Sequence, residues 1–192
     1  MKKRADKRTR LLRAAEITTY RHGFDATALA DIAKEARMPL GNLYYYYKTK
    51  NAIGNAVIEL RLSRFGRLLK ELERSKSPAE RLCGFVDVKI RNRDQLARSG
   101  CPVGTLCSEL HKQRGSLAKK STALLAEALH WMEVQFRLLG RGDESAGLAV
   151  HLLSATQGVS VLAHSFHNPR LIDTEAVRLK EWIRSFEGTE EK

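Results

Sequence analysis

Four consecutive tyrosines, Tyr44 to Tyr47, carry the clearest chemistry in this sequence. Their rings end in hydroxyl groups, and two lysines, Lys48 and Lys50, follow directly. Hydroxyl and ammonium groups donate hydrogen bonds to phosphate oxygens, and planar rings suit a DNA groove. A free-standing hydrophobic core would need fewer hydroxyls. The run therefore predicts a surface that contacts duplex DNA.

The three cysteines, Cys83, Cys101 and Cys107, are the second set of reactive residues. Their number is odd and they form no CxxC pair, so neither a disulfide framework nor a zinc ribbon is indicated. Cys101 stands just before a predicted helix, where the helix dipole lowers a thiol pKa and favours the reactive thiolate. Arg98 and His111 would assist if they lie near. The alternative is that Cys101 is a small buried hydrophobic residue.

A catalytic interpretation would use Cys101 or Cys107 as a nucleophile with His111. No Gly-rich phosphate loop, no HExxH pair and no nucleophile motif with its partners in place accompanies these residues. We therefore expect no enzyme, no catalytic residues, no metal site and no cofactor.

Charge favours a polyanion as partner. The 192 residues have a formal net charge of +12, and residues 1–50 hold 12 Lys or Arg against 5 Asp or Glu. A basic N-terminal segment suits nucleic acid, although a solubilising surface would explain the charge equally well. No run of about 18 apolar residues and no signal-peptide pattern occurs, so we expect a cytoplasmic protein without a membrane partner.

The elements that must position these residues are all helical. The four prolines fall where helices can start or stop, and no alternating apolar pattern indicates a strand. The pattern predicts an all-α fold of about nine helices. They are expected at about 7–21, 28–36, 40–46, 51–75, 78–98, 103–112, 116–139, 145–167 and 173–186.

The second and third predicted helices are short and are separated by a tight turn at Arg37-Met38. Such a pair, with another helix packed behind it, makes a helix-turn-helix whose second member enters the DNA major groove. We therefore predict a three-helix DNA-binding domain over 1–50. The rest, 51–192, is predicted to be a helical ligand-binding and dimerisation domain.

The motif also matches a known family. The residues that carry the match are Gly23-Phe24, Thr27, Ile32-Ala33-Lys34-Glu35-Ala36, Gly41-Asn42-Leu43-Tyr44, Tyr46-Tyr47 and Lys48-Thr49-Lys50. From about Arg8 to Ile53 the sequence resembles the TetR family of bacterial transcriptional repressors. Four residues depart from the family pattern: Arg37 replaces a common Gly, Pro39 and Ala28 replace Ser or Thr, and Tyr47 replaces Phe.

The resemblance implies a DNA-contact set, and the residue types suggest roles. Gly41 lets the helix approach the groove, and Leu40, Asn42 and Tyr45 should face the bases or their backbone, since Asn can pair with adenine and Leu can touch a thymine methyl. Tyr44, Tyr46, Lys48 and Lys50 should contact phosphates, Lys50 at a helix start, whereas Leu43 and Tyr47 should face inward. The whole expected set is Thr27, Leu40, Gly41, Asn42, Tyr44, Tyr45, Tyr46, Lys48 and Lys50.

The resemblance further implies a repressor dimer that binds a near-palindromic operator and is released by a small-molecule inducer. The inducer pocket is expected among apolar residues of the later helices, although each of them is also a candidate for plain core. These are Phe65, Phe85, Val88, Cys101, Leu106, Cys107, Leu110, Trp131, Met132 and Phe136.

One segment suggests a different signal. Residues 100–110 look like the Gly-Cys-x-x-x-x-Leu-x-x-Glu-Leu segment of a subset of the family, some of whose members respond to thiol-reactive compounds. The alternative is therefore an electrophile-responsive repressor that acts through Cys101. A non-specific nucleic-acid packaging protein is a further class, and it would bind operator and random DNA equally.

Dimerisation is expected through the last two long helices, which would form a four-helix bundle with those of a partner. The expected small residues are Ser154, Ala155, Gly158, Ser160 and Ala163. The expected apolar residues are Leu152, Val159, Leu162, Phe166, Val177, Trp182 and Ile183.

Overall fold

The computed structural model of the protein describes residues 2–75 and 77–188. Over these residues it contains ten α-helices, a short 3-10 turn (Gly142–Glu144) and no strand. The helices are α1 (Lys2–His22), α2 (Leu29–Glu35), α3 (Leu40–Tyr46), α4 (Lys50–Leu72), α5 (Pro78–Arg91), α6 (Arg93–Ser99), α7 (Pro102–Lys112), α8 (Ser116–Leu138), α9 (Ser145–Ser165) and α10 (Arg170–Arg184). The predicted all-α class and helix number are confirmed, and the additional helix arises because the segment predicted as 78–98 breaks at Asn92.

The chain forms two compact units. The first unit comprises Met1–Arg64 and Thr105–Leu124, and the second comprises Phe65–Gly104 and Leu125–Lys192. The first unit contains the whole of 1–50 and adds a segment from much later in the chain. The functional division at residue 50 stays a prediction.

The core of the first unit holds the short helices in place. Leu11 of α1, Ile32 of α2, Leu43 of α3 and Ile53 of α4 are almost completely buried together. Each comes from the apolar stripe that helical periodicity places on one face. Because a single inward stripe anchors α3, its opposite face is left at the surface.

The turn between α2 and α3 has a specific hydrogen-bond pattern. The Met38 N–H donates to the Ala33 carbonyl and the Arg37 N–H to the Lys34 carbonyl, both at 2.9 Å. This is a Schellman motif, which requires a left-handed residue at the position of Arg37. Arg37 has φ +51°, although it is not glycine. The Arg10 guanidinium also donates to the Ala36 carbonyl (2.8 Å), a favourable charge at a helix C-terminus.

The second unit has its own core, which comes mainly from α5, α8, α9 and α10. Leu82, Met132, Phe136, Leu152 and Ile183 are fully buried in it. Its first helix, α5, begins at a Ser77 cap whose hydroxyl accepts the Glu80 N–H at 3.3 Å. By length and mean hydropathy, Gly142–Ser165 would pass as a membrane span, but a buried core helix passes the same test, and part of this one is buried.

Helix α9 presents a different face to the surface from the one predicted. Ser160, Ala163, Leu152 and Val159 are buried inside the protomer, so they are not part of an exposed stripe. Ile183 of α10 is also core. On one face of α9 and its C-terminal end the exposed residues are Gly147, Val150, His151, Ser154, Gly158, Val161, Leu162, Ser165 and Phe166. We call this set the α9 face.

Candidate nucleic-acid interface and thiol site

The tyrosines of the run point in different directions because they follow one another along a helix. Leu43 and Tyr47, four residues apart, point into the core, where Tyr47 is only 3% exposed. Tyr44 and Tyr45 point outward and are 46% and 59% exposed. The prediction that Leu43 and Tyr47 face inward is confirmed. The outward face of α3 is therefore built of Leu40, Gly41, Tyr44 and Tyr45.

Tyr46 and Asn42 lie at the edges of this face, and both are half-buried. The Tyr46 ring packs against the first core and meets the Tyr45 ring edge-on, with centroids 5.1 Å apart. At Gly41 an added Cβ would meet nothing within 4 Å. The space outside Gly41 is open, as close approach to a groove requires.

The Tyr47 hydroxyl is a local defect in the core. It is buried, and within the described parts of the chain it has no hydrogen-bond partner. An unsatisfied buried hydroxyl costs stability. Because the ring faces inward, this hydroxyl cannot contribute to the outward face of α3.

Two residues of the predicted DNA-contact set, Thr27 and Lys50, are engaged in other contacts. Thr27 is 1% exposed, and its hydroxyl donates to the Gly23 carbonyl at 2.6 Å. It is not the N-cap of α2 either, because that position is Ala28, whose N–H donates to the Asp31 carboxylate. Burial and the hydrogen bond to Gly23 keep the Thr27 hydroxyl from an external phosphate in this structure, and its role as a DNA contact stays a prediction.

The Lys50 side chain, at the start of α4, is held against the segment between α1 and α2 and does not extend from the surface. Its ammonium donates to the Asp25 carbonyl at 2.7 Å and lies 5.1 Å from the centre of the Phe24 ring. Lys48, two residues earlier, is exposed. Lys48 is therefore the lysine of this pair that is better placed to meet a phosphate.

The ten predicted pocket residues are divided between the two units. Leu106, Cys107 and Leu110 are buried in the first unit, where the Cys107 thiol donates to the Ser121 carbonyl at 3.2 Å. The other seven belong to the second unit.

Most of those seven form its aromatic core. The Phe85 ring meets the Phe65 ring edge-on and lies tilted against the Trp131 ring, with ring centroids 6.3 and 6.2 Å apart. Met132 and Phe136 are fully buried beside them, and Val88 is half-buried. These contacts are those of a packed core.

Cys101 lies in an environment that favours a thiolate. Its sulfur is 3.4 Å from the Gly104 backbone nitrogen, near the start of α7, and 4.0 Å from the Lys89 ammonium. Burial raises the pKa of this thiol, but the Lys89 charge and hydrogen bonds from Gly104, Val103 and Gln157 lower it, and the net direction of the pKa is downward. The predicted helix-dipole effect thus has a structural basis.

The cation beside Cys101 is Lys89 and not the predicted Arg98. Lys89 comes from α5, twelve residues earlier, and only packing brings it to the thiol. Arg98 is exposed, and its guanidinium donates to the Gln95 amide oxygen. Nothing in the sequence distinguishes Lys89 from the many other lysines on helices.

His111 is occupied by groups other than a thiol. Its Nδ1 lies 2.9 Å from the Cys107 carbonyl oxygen, and its Nε2 lies 3.2 Å from the Thr122 hydroxyl. Both of these contacts are to oxygen atoms, and neither is to a cysteine sulfur. In the part of the chain that the structure describes, no three His, Cys, Asp or Glu side chains are grouped to hold a metal ion.

Comparison with known proteins agrees with this arrangement. Residues 11–57 match the family model described as bacterial regulatory proteins, tetR family. The transcriptional regulator AcuR of Cereibacter sphaeroides is 30% identical over 158 residues, which cover 81% of this chain and 69% of AcuR. The transcriptional repressor NemR of Escherichia coli is 33% identical over 70 residues, about a third of each chain.

Solved structures extend the similarity of fold to nearly the whole chain. A TetR regulator from Legionella pneumophila has a TM-score of 0.80 at 19% identity, covering 92% of this chain and 94% of its own. The reduced form of E. coli NemR has a TM-score of 0.76 at 20% identity, covering 92% and 96%. At such identities the structures support the fold alone, whereas the similarity to AcuR and the motif carry the family. The chain belongs to the TetR family of bacterial DNA-binding transcriptional regulators.

Proposed function

We propose that this protein is a homodimeric, cytoplasmic repressor that reads a near-palindromic operator with α3. The observation that carries the proposal is the outward face of α3, where an exposed leucine, an open glycine and two exposed tyrosines stand above a buried stripe. Leu40, Asn42 and Tyr45 meet the base edges. Tyr44, Tyr46 and Lys48 hold the phosphates on either side.

The α9 face supports the dimer. Val150, Val161, Leu162 and Phe166 are all at least half exposed, and Phe166 is 70% exposed. Large apolar side chains grouped on one helix face mark an interaction surface. Two copies joined there about a two-fold axis would present two α3 helices to successive major grooves.

The test begins with the recovery of duplexes from a random pool by the wild-type protein, followed by a footprint. We expect an inverted repeat with half-sites about one helical turn, or a multiple of it, apart. Tyr44→Phe should weaken binding modestly, Tyr44→Ala with Lys48→Ala strongly, and the exposed Lys70→Ala on α4 not at all. A footprint without a palindrome, or tight binding by the double variant, would refute the proposal; equal affinity for all duplexes would indicate a packaging protein.

A small-molecule inducer is proposed to bind in 51–192 and to favour the arrangement that releases DNA. A ligand shifts such an equilibrium only by its difference in affinity for the two arrangements. The aromatic residues around Phe85 are the candidates for its pocket, although they are packed together in this structure.

Electrophile sensing through Cys101 is the second candidate signal, supported by the Lys89 and Gly104 contacts at its sulfur. A thiolate there would add to the carbon–carbon double bond of N-ethylmaleimide, forming a C–S bond, and the adjacent carbon would take a proton from water. We expect the reagent to release operator DNA from the wild type and from Cys83→Ser, but not from Cys101→Ser. Equal release from all three would remove Cys101 from the mechanism.

A further inference from the structure

The turn between α1 and α2 (residues 23–28) is held by a side chain from distant sequence. The Glu109 carboxylate, in the second half of α7, accepts the Phe24 N–H at 2.6 Å and lies 3.3 Å from the Asp25 nitrogen. Just after the end of α7, the Gln113 amide donates to the Asp25 carboxylate at 3.0 Å. All these residues belong to the first unit. A carboxylate that accepts backbone N–H groups makes charge-assisted bonds, which are stronger than neutral ones.

Gly23 is shaped to fit this contact. It has φ +85°, a conformation that suits glycine, and an added Cβ would lie 2.8 Å from a Glu109 carboxylate oxygen. A side chain at residue 23 would therefore displace the Glu109 carboxylate and would be strained by the positive φ. Gly23 thus caps the C-terminus of α1 and also leaves room for the Glu109 carboxylate.

Helix α4 holds the same turn from another direction. The Lys50 ammonium donates to the Asp25 carbonyl, and the Phe24 ring lies against Gly54, where a Cβ would come within 2.8 Å of the ring. The turn is thus fixed at its N–H groups by α7 and at its carbonyl and ring by α4.

This turn leads directly into the helix-turn-helix. Thr27 closes it by donating to the Gly23 carbonyl, and α2 begins at Leu29. Helix α2 packs on α3 through the first core. Displacement of the turn would therefore displace α2, and α3 with it.

We propose that Glu109 is a positioning residue for DNA reading, through which α7 sets the α1–α2 turn and hence the presentation of α3. The proposal rests on the proposed function, since it assumes that α3 reads DNA. Glu109 itself touches no DNA. It keeps the unbound protein near the geometry that the groove requires, so that little reorganisation accompanies binding.

The experiment compares Glu109→Ala and Glu109→Gln with Glu71→Gln, which changes an exposed glutamate on α4. The probe is a duplex recovered from a random pool by the wild-type full-length protein. Three quantities are measured: amide hydrogen exchange at Phe24 and Asp25, the Kd for the duplex, and the melting temperature. At a temperature well below the melting temperature of Glu109→Ala, we expect this variant to show faster amide exchange and about tenfold weaker DNA binding than the wild type. Glu109→Gln keeps one acceptor oxygen and should fall between the wild type and Glu109→Ala, whereas Glu71→Gln should match the wild type.

Unchanged exchange in Glu109→Ala would overturn the proposal, as would faster exchange with unchanged Kd, because the turn would then be held without serving DNA binding. If Glu109→Ala does not fold, Glu109→Gln decides by the same two criteria. The failures are distinguishable: a wild-type protein that recovers no specific duplex refutes the proposed function. A wild type that recovers one while the Glu109 variants bind it equally well refutes only the role of Glu109.

Discussion

Three tyrosines of α3 and the next residue, Tyr47, share a residue type but not an environment. Tyr44 and Tyr45 are exposed, Tyr46 lies at the edge, and Tyr47 is in the core. The difference follows from the 100° rotation between successive helical residues, which points four neighbours in four directions. Each hydroxyl therefore has its own consequence for stability or binding.

Tyr47→Phe should stabilise the protein without changing its affinity for DNA. The Tyr47 hydroxyl is buried and lacks a partner among the described residues, and such a group costs roughly 1–3 kcal/mol. We expect a gain of about 1 kcal/mol, which for a chain of this size raises the melting temperature by about 2–4 °C. Tyr44→Phe is the matched control, since it removes an exposed hydroxyl and should leave the melting temperature unchanged. A lower melting temperature for Tyr47→Phe would show that the hydroxyl has a partner.

Lys89→Met should make Cys101 less reactive at neutral pH. Burial raises the pKa of the Cys101 thiol, and the Lys89 charge is the largest opposing influence, so its removal moves the pKa upward. The rate of alkylation by N-ethylmaleimide, measured against pH, should therefore reach half its maximum at a lower pH in the wild type than in Lys89→Met. At high pH, where both thiols are ionised, the two rates should converge. Superimposable profiles would contradict the role given to Lys89.

At the scale of elements, the α2–α3 turn contains backbone strain at Arg37, which a glycine at this position would avoid. Arg37 closes the Schellman motif in a left-handed conformation, which costs an L-residue about 1–2 kcal/mol. The motif is retained because its two hydrogen bonds and the buried α2 stripe determine the backbone path. The side chain at this position is exposed, so it contributes no core packing.

Arg37→Gly should therefore raise the free energy of unfolding. Glycine relieves the left-handed strain but loses more chain entropy on folding, about 0.5–1 kcal/mol, so the net gain is about 0.5 kcal/mol. Arg37→Ala keeps the positive φ and should show no gain. Chemical denaturation of the three proteins measures the difference. If Ala and Gly stabilise equally, loss of the charge and not relief of strain is responsible.

The α9 face is the element on which the dimer is expected to depend. Leu162→Asp places a charge in an apolar contact, where it would be desolvated without a partner. We expect the variant to be monomeric by sedimentation and to bind the operator weakly. Ile17→Asp on α1 changes another exposed apolar residue and should stay dimeric. A dimeric Leu162→Asp protein would exclude this face as the interface.

At the scale of the whole molecule, charge determines how binding responds to salt. More than half of the net charge of +12 resides in residues 1–50. Each phosphate that a lysine neutralises releases counterions, so the affinity falls steeply with salt concentration.

Lys48→Ala should reduce the slope of log affinity against log salt concentration by about 1, because one phosphate contact is lost. Lys70→Ala, which removes an exposed lysine of α4, should leave the slope unchanged. Fluorescence anisotropy with the recovered duplex, over a range of salt concentrations, measures both. An unchanged slope in Lys48→Ala would show that Lys48 contacts no phosphate.

The sequence alone determined the helices, the helix-turn-helix and the inward side of α3. These depend on local periodicity and on residues such as Gly23 and Pro39, whose conformational preferences act within a few positions. The family follows from the same stretch, because its motif is made of those local requirements.

Only the tertiary structure decided which polar groups find partners across long stretches of chain. Thr27 and Lys50 have the residue types of phosphate contacts, yet packing assigns them to the α1–α2 turn. Lys89 reaches Cys101 from α5, and Glu109 reaches Phe24 across 85 residues. Local patterns cannot predict such pairs, because the free energy that forms them comes from the burial of surfaces far apart in the chain.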